Sequence, residues 1–271
     1  MKTIAAVNIR HYERSVLALA DYNRTTEMGL QVLLRDRGYS LPPPEREAGE
    51  GLAVVVFGSS QGLCGQFNEQ VASYTLARLD DLGLRSQVRI VLAVGSRTAA
   101  RLEDAGQPVD QVLPEPHSLA GVTPSVHRVL WLMDDWQARG RASRVELFYN
   151  RLLSGSVWEP CMVHLWPIDP QRFSSLEEKT WPSRSLPTFS MGWEALFSAL
   201  LRQHLFVSLY RAFSESLASE SASRLASMQV AERNIDEKLA ELEALYHRRR
   251  QDGITGELLD IISGFEVLAE S

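Results

Sequence analysis

Heptad patterns at both ends of the chain constrain its architecture more than any other feature. Positions 5, 9, 12, 16, 19, 23, 26, 30 and 33 hold Ala5, Ile9, Tyr12, Val16, Leu19, Asn23, Thr26, Leu30 and Leu33. The steps alternate four and three, the spacing of a coiled-coil seam. Arg10, Glu13, Arg14, Asp21 and Arg24 fall off the seam, where they can face water. A helix over Lys2–Arg37 spans about 50 Å at 1.5 Å per residue. At the other end no proline follows Pro187, and residues 192–268 read as one very long helix. Leu225, Met228, Glu232, Ile235, Leu239, Leu242 and Tyr246 again step three and four. Such a helix exceeds about 100 Å, more than a domain of this size can enclose, so much of it is expected to project. The two heptad-bearing ends are expected to pair with each other. Before the second seam, Ala218, Ser219, Ser221, Ala222 and Ser223 form a small-residue stretch. It reads as a place for close helix approach, a packing role without chemistry.

Between the helical ends the period changes. Leu52 to Phe57 (LAVVVF) and Val88 to Val94 (VRIVLAV) are continuous apolar, β-branched runs, as strands covered on both faces require. Residues 66–82 and 97–105 read as helices, each followed by glycine. Residues 124–139 read as a helix with Thr123 as N-cap and Pro124 at its first position. Residues 145–149 and 162–166 read as further strands. Strands separated by helices predict βαβ units and a mostly parallel sheet. The expected organisation is an N-terminal helix over 1–38, a stiff charged linker over 39–50 carrying Pro42, Pro43 and Pro44, an α/β domain over 51–190 and a C-terminal helix over 191–271. Residues 167–187, rich in Pro and Ser, are expected to be irregular.

Composition excludes several functions. The 271 residues carry a formal charge of -6, which argues against a generally basic nucleic-acid binder. Two cysteines, Cys64 and Cys161, cannot make a disulfide scaffold or a four-cysteine zinc site. No run approaches the roughly 20 apolar residues of a membrane span. Gly58, Gly62 and Gly65 follow a strand and precede a helix, where a phosphate cradle belongs. Their spacing is neither the dinucleotide fingerprint nor a P-loop, and Val94-Gly95-Ser96-Arg97 offers no acidic residue for a ribose. A tight structural turn is the reading of that loop. Cys64 near a helix N-terminus would need a histidine to act as a nucleophile, and nothing in the spacing singles out His117, His127 or His164. Asp134 and Asp135 are adjacent on a helix and do not share a face. Arg248, Arg249 and Arg250 precede Gly253 and Gly256, where helix propensity falls by roughly 1 kcal/mol per glycine. Concentrated charge beside weak helix suits a contact with another protein. A Rossmann-type nucleotide-binding enzyme with helical oligomerisation arms is the alternative these features leave open.

Three short motifs carry a family resemblance. Gly62, Leu63, Cys64, Gly65, Phe67 and Asn68 sit in a run that resembles the "RGLCGGFN" signature of the gamma subunit of F-type rotary ATP synthases. Residues 209–220 resemble that family's "LYRALLESxASEHAARM", and residues 250–264 its "RQAxITQELLEIVSGA". The resemblance implies a Rossmann-like α/β domain with terminal helices wound as an antiparallel coiled coil. Its seam would hold Ile9, Tyr12, Val16, Leu19 and Leu30 on one helix. Leu225, Met228, Ile235, Leu239, Leu242 and Tyr246 would line it on the other. It implies a rotor shaft without catalytic site or cofactor, partnered by the alpha and beta subunits of the ring, the epsilon subunit and the membrane c-ring, at the cytoplasmic face of a bacterial membrane. Arg250, Gln251, Thr255 and Glu257 match positions where such shafts touch the ring. Gly256 departs from a usual Gln. Family members usually start upstream of what matches Met1, so an N-terminally truncated chain of a divergent, sodium-type accessory ATPase is the expectation.

Overall fold

Both apolar runs become inner strands of one sheet. The computed structural model describes residues 2–37, 51–154, 157–168, 181, 185 and 188–269. The expected linker and most of the irregular stretch over 167–187 lie outside the described residues. Along the chain run α1 (Lys2–Arg37), β1 (Leu52–Phe57), α2 (Phe67–Asp81), β2 (Val88–Val94), α3 (Ser96–Asp104), β3 (Gln111–Leu113), α4 (Leu119–Ala138), β4 (Arg144–Ser154), β5 (Val157–Trp166) and α5 (Trp193–Ala269). The sheet order is β3-β2-β1-β4-β5. β1 is parallel to both β2 and β4, with Val55 opposite Leu92 and Leu147, β3 is parallel to β2, and β5 runs antiparallel to β4.

Alternate residues of each inner strand enter different layers because side chains alternate across a strand. Ala53, Val55, Phe57, Leu92 and Leu147 pack beneath Val122, Val129, Trp136, Leu209 and Phe213 of α4 and α5. Val54, Val56, Val91 and Phe148 pack beneath Val71, Leu79 and Leu102 of α2 and α3. Cover on both faces explains why neither run alternates with polar residues.

Three local expectations change. α4 begins at Leu119, after Ser118, not at Pro124. Proline inside its second turn forgoes one amide bond to the carbonyl of Ala120, a loss a flanking apolar face at Val122, Val126 and Val129 outweighs. β4 and β5 form a longer hairpin than their apolar segments suggested. Polar residues extend it: Arg151 and Glu159 stand opposite each other and pair at 2.6 Å, and Pro160 is tolerated because β5 is an edge. β3, three residues at the other edge, carried no apolar signal.

The chain divides into two units, Met1–Leu225 and Ala226–Ser271. Within the first, α1 runs antiparallel to the opening turns of α5. Trp193 donates to the Leu33 carbonyl at 3.2 Å, Leu200 abuts Gly29, and Ser15 reaches Tyr210 at 3.4 Å. Leu30 and Leu34 cluster with Phe197, Leu200 and Leu201. The second unit is the remainder of α5, with Val230, Leu245, Ile254, Leu258 and Ile262 exposed.

A histidine closes the outer hairpin. His164 Nδ1 lies 2.8 Å from Glu146 Oε1, and Nε2 lies 2.6 Å from the Pro167 carbonyl. Both neighbours accept, so only the imidazolium satisfies both. The hydrogen bond to Glu146 raises the His164 pKa, against burial. The folded state therefore holds this proton more tightly than the unfolded chain. Its contribution is complete below the ordinary histidine value and is lost as pH rises through the raised one. The ring is over a third exposed, so water screens it. Between pH 6 and pH 8.5 the melting temperature should fall relative to His164→Gln, by about 2 °C; parallel melting curves for the two proteins would refute the clamp.

Candidate functional site

In an open parallel sheet, ligands enter the crevice outside the carboxyl ends of the strands, where the strand order reverses. Here β1 connects to β2 on one side and β4 lies on the other, so that crevice falls between the loop after β1 and the end of β4. Two glycines set its floor. A Cβ on Gly58 would stand 1.7 Å from Thr98 Oγ1. Gly95 has φ +99° and lies against the Ser59 backbone. The loop is then tied by Asn68. Its Oδ1 accepts from the Ser59 amide at 2.9 Å and from Thr98 Oγ1 at 2.7 Å, and its Nδ2 donates to Ser59 Oγ at 2.8 Å and to Cys64 Sγ at 3.5 Å. Cys64 is buried inside this network. Phe67 is fully buried and meets Trp158 edge-on. Leu63, at φ 61°, is exposed on the loop's outer side.

α5 seats against the β4 side of the crevice, while a cavity of about 580 Å³ stays open beside the loops after β1 and β2, lined by Gly62, Cys64, Asn68, Ser96 and Arg97. Ala218, Ser219, Ser221, Ala222 and Ser223 are all buried. The Ser223 hydroxyl donates to the Cys64 carbonyl at 2.7 Å. The Ser219 hydroxyl shares its proton between the Asn150 and Glu215 carbonyls, each at 2.9 Å. Asn150 in turn donates to the Phe67 carbonyl at 3.0 Å. The small residues were expected to admit another helix; they seat α5 against β4 and the loop after β1 instead, and the Ser219 and Ser223 hydroxyls bond it there. A serine at every third or fourth position, 216, 219 and 223, was the available signal.

Glu220 and Glu115 were not singled out by sequence. Both are buried and lie within hydrogen-bonding reach of each other. Glu115 accepts the Ser60 amide at 2.7 Å, and Glu220 pairs with Arg224. Burial, then the neighbouring Glu115, pushes the Glu220 carboxyl well above the usual carboxylate range. Burial and the charge of Glu220 push Tyr12 up to about 12. Burial raises the thiol of the second cysteine, Cys161, to about 11, which disfavours its thiolate at neutral pH.

The seam positions of α1 are its buried side: Tyr12 and Leu30 are buried, and Ile9, Val16 and Leu19 half-buried. On α5, Leu225 and Met228 are half-buried, while Ile235, Leu239, Leu242 and Tyr246 are exposed. The stretch of α5 seated against α1 lies upstream of that seam, within 193–224. Arg250, Gln251, Thr255 and Glu257 are exposed in the second unit, where Thr255 donates to the Gln251 carbonyl at 2.9 Å. At about 100° per residue the four occupy less than half of the helix circumference.

Among known proteins, the family model described as ATP synthase matches residues 1–268. The ATP synthase gamma chain of Synechococcus elongatus is 27% identical, with 99% of this chain and 92% of that protein covered. The gamma chain of a Cyanothece species is 28% identical over the same shares. A chain of the Euglena gracilis mitochondrial ATP synthase superimposes with a TM-score of 0.61 at 17% identity, covering 98% of this chain and 94% of that one. A chain of the Tetrahymena thermophila mitochondrial ATP synthase, solved as central stalk and c-ring, gives 0.60 at 21% identity, covering 86% and 97%. The fold and the family match over residues 1–268 converge: the chain belongs to the ATP synthase gamma family, as a non-catalytic rotor subunit of an F-type ATP synthase.

Proposed function

We propose that the chain couples transmembrane ion flow to ATP synthesis or hydrolysis by turning inside a ring of alpha and beta subunits, with its sheet domain beside the epsilon subunit and the membrane c-ring. The observation that carries this reading is the mounting of α5 on the sheet domain, where Ser219 and Ser223 bond to the Asn150 and Cys64 carbonyls. Similar chains were solved as part of a rotor in Euglena gracilis and of a central stalk with c-ring in Tetrahymena thermophila. No helix among the described residues is long and apolar enough to cross a membrane, which suits a peripheral place in a membrane-associated complex. We place it at the cytoplasmic face of an energy-transducing membrane. Arg250, Gln251, Thr255 and Glu257 would touch the ring, and the exposed Ile235, Leu239, Leu242 and Tyr246 would be covered in the assembly.

The test uses that exposure. Leu239 and Leu242 are 54% and 60% exposed, so Leu239→Asp with Leu242→Asp should change the stability of the isolated chain by no more than about 1 kcal/mol. Reconstituted with the ring and membrane sector, the same protein should lose ion-driven ATP synthesis. Wild-type synthesis rates from the double variant would refute the shaft reading.

A further inference from the structure

Apolar packing is non-directional, so by itself it specifies the register of a helix less sharply than hydrogen bonds do. A rotor needs more than adhesion between its helix and its body. One turn of α5 supplies directional ties to three separate parts of the sheet domain. Ser219 reaches the Asn150 carbonyl on β4, Ser223 reaches the Cys64 carbonyl on the loop after β1, and Glu220 reaches Glu115 on the segment before α4. Glu115 also accepts the Ser60 amide, so the third tie returns to the loop after β1. Relative exposure is 0% at Ser219, 4% at Glu220, 6% at Ser223 and 7% at Glu115, so these groups are largely shielded from bulk water.

We propose that Ser219, Glu220 and Ser223 are positioning residues that key α5 to the sheet domain, so that torque crosses between them at this turn. This rests on the rotor reading above. Because each tie points to a different element, rotating or advancing the helix by one residue breaks all three together. Burial, with Glu115 beside it, holds the Glu220 carboxyl well above the usual carboxylate range, against the pull of Arg224. The titratable and charged groups facing Glu220 are Tyr12 from α1, Glu115 and His117 from the segment before α4, and Arg224 from α5. The folded chain holds the Glu220 proton more tightly than the unfolded one, so stability declines as pH climbs from the ordinary carboxylate range to the raised value. A glutamine at 220 keeps a donor for Glu115 without titrating.

The measurement is ions pumped per ATP hydrolysed by the assembled membrane complex. Ser219→Ala with Ser223→Ala should retain ATP hydrolysis while the pumping ratio under load falls about tenfold, the effect of two lost buried hydrogen bonds. Glu220→Leu should lower the ratio as well. Glu220→Gln should keep the wild-type ratio and flatten the fall in melting temperature between pH 6 and pH 9. A wild-type ratio from both the serine double variant and Glu220→Leu would overturn the key while leaving the rotor reading intact. A wild-type chain that never enters the ring complex would overturn the rotor reading itself. If the serine variant does not assemble, Glu220→Gln decides: a lost ratio or an unflattened pH profile overturns the key.

Discussion

Gly95→Ala should unfold the sheet domain at temperatures where the wild type is intact, with a loss of at least about 3 kcal/mol and a drop in melting temperature near 10 °C. The residue has φ +99°, a conformation that side chains strain against. Strain is the smaller part. The new Cβ would lie 2.6 Å from both the Ser59 carbonyl carbon and its oxygen, and 2.9 Å from its nitrogen. Ser59 cannot yield, because its amide is held by Asn68 and its carbonyl accepts from the Arg97 amide at 3.1 Å. Gly95 cannot yield either, because its own amide is bonded to the Leu113 carbonyl at 2.9 Å. Gly106→Ala is the control. It also has positive φ, at +80°, but nothing lies within 4 Å of its added carbon, so it should cost about 1 kcal/mol. Urea titrations of the two variants with equal midpoints would show that the contact with Ser59 is not what Gly95 provides.

Asn68→Leu is the second large effect, expected at about 3–4 kcal/mol. The side chain is nearly isosteric, so little volume changes. What is lost is a buried amide that satisfies two donors and two acceptors at once. The Ser59 amide is then left without its partner in a dry interior, and an orphaned buried donor costs more than the bond it made. Thr98 Oγ1 loses its acceptor at the same time. Thr98→Val alone removes one donor and its need together, so it should cost far less. Denaturant midpoints for the single variants and the pair would give the coupling between them. Additive losses at Asn68 and Thr98 would count against a shared network.

Long-range periodicity was legible, and local polarity was not. The α1 seam from Ala5 to Leu33 marks the side that is buried or half-buried, because α1 has one packed face along its whole length. The two apolar runs that became β1 and β2 needed no partner to be recognised. The start of α4 was missed because Pro124 looks like a first position, and the length of the β4–β5 hairpin because Asn150, Arg151 and Pro160 look unlike strand. Their reasons are tertiary: a buried carbonyl to satisfy, a cross-strand charge, an edge. Glu115 and Glu220 are separated by more than a hundred positions, and no spacing rule connects them. Likewise the heptad over 225–246 marked an apolar face correctly as apolar, yet the residues of α5 held against α1 are the ones upstream of it.

The serines in the crevice have one more implication. Anything approaching the Cys64 and Asn150 carbonyls would have to displace a helix that belongs to the same molecule, present at an effective concentration few dissolved competitors reach. The lever and its base therefore enter an assembly already fastened to each other.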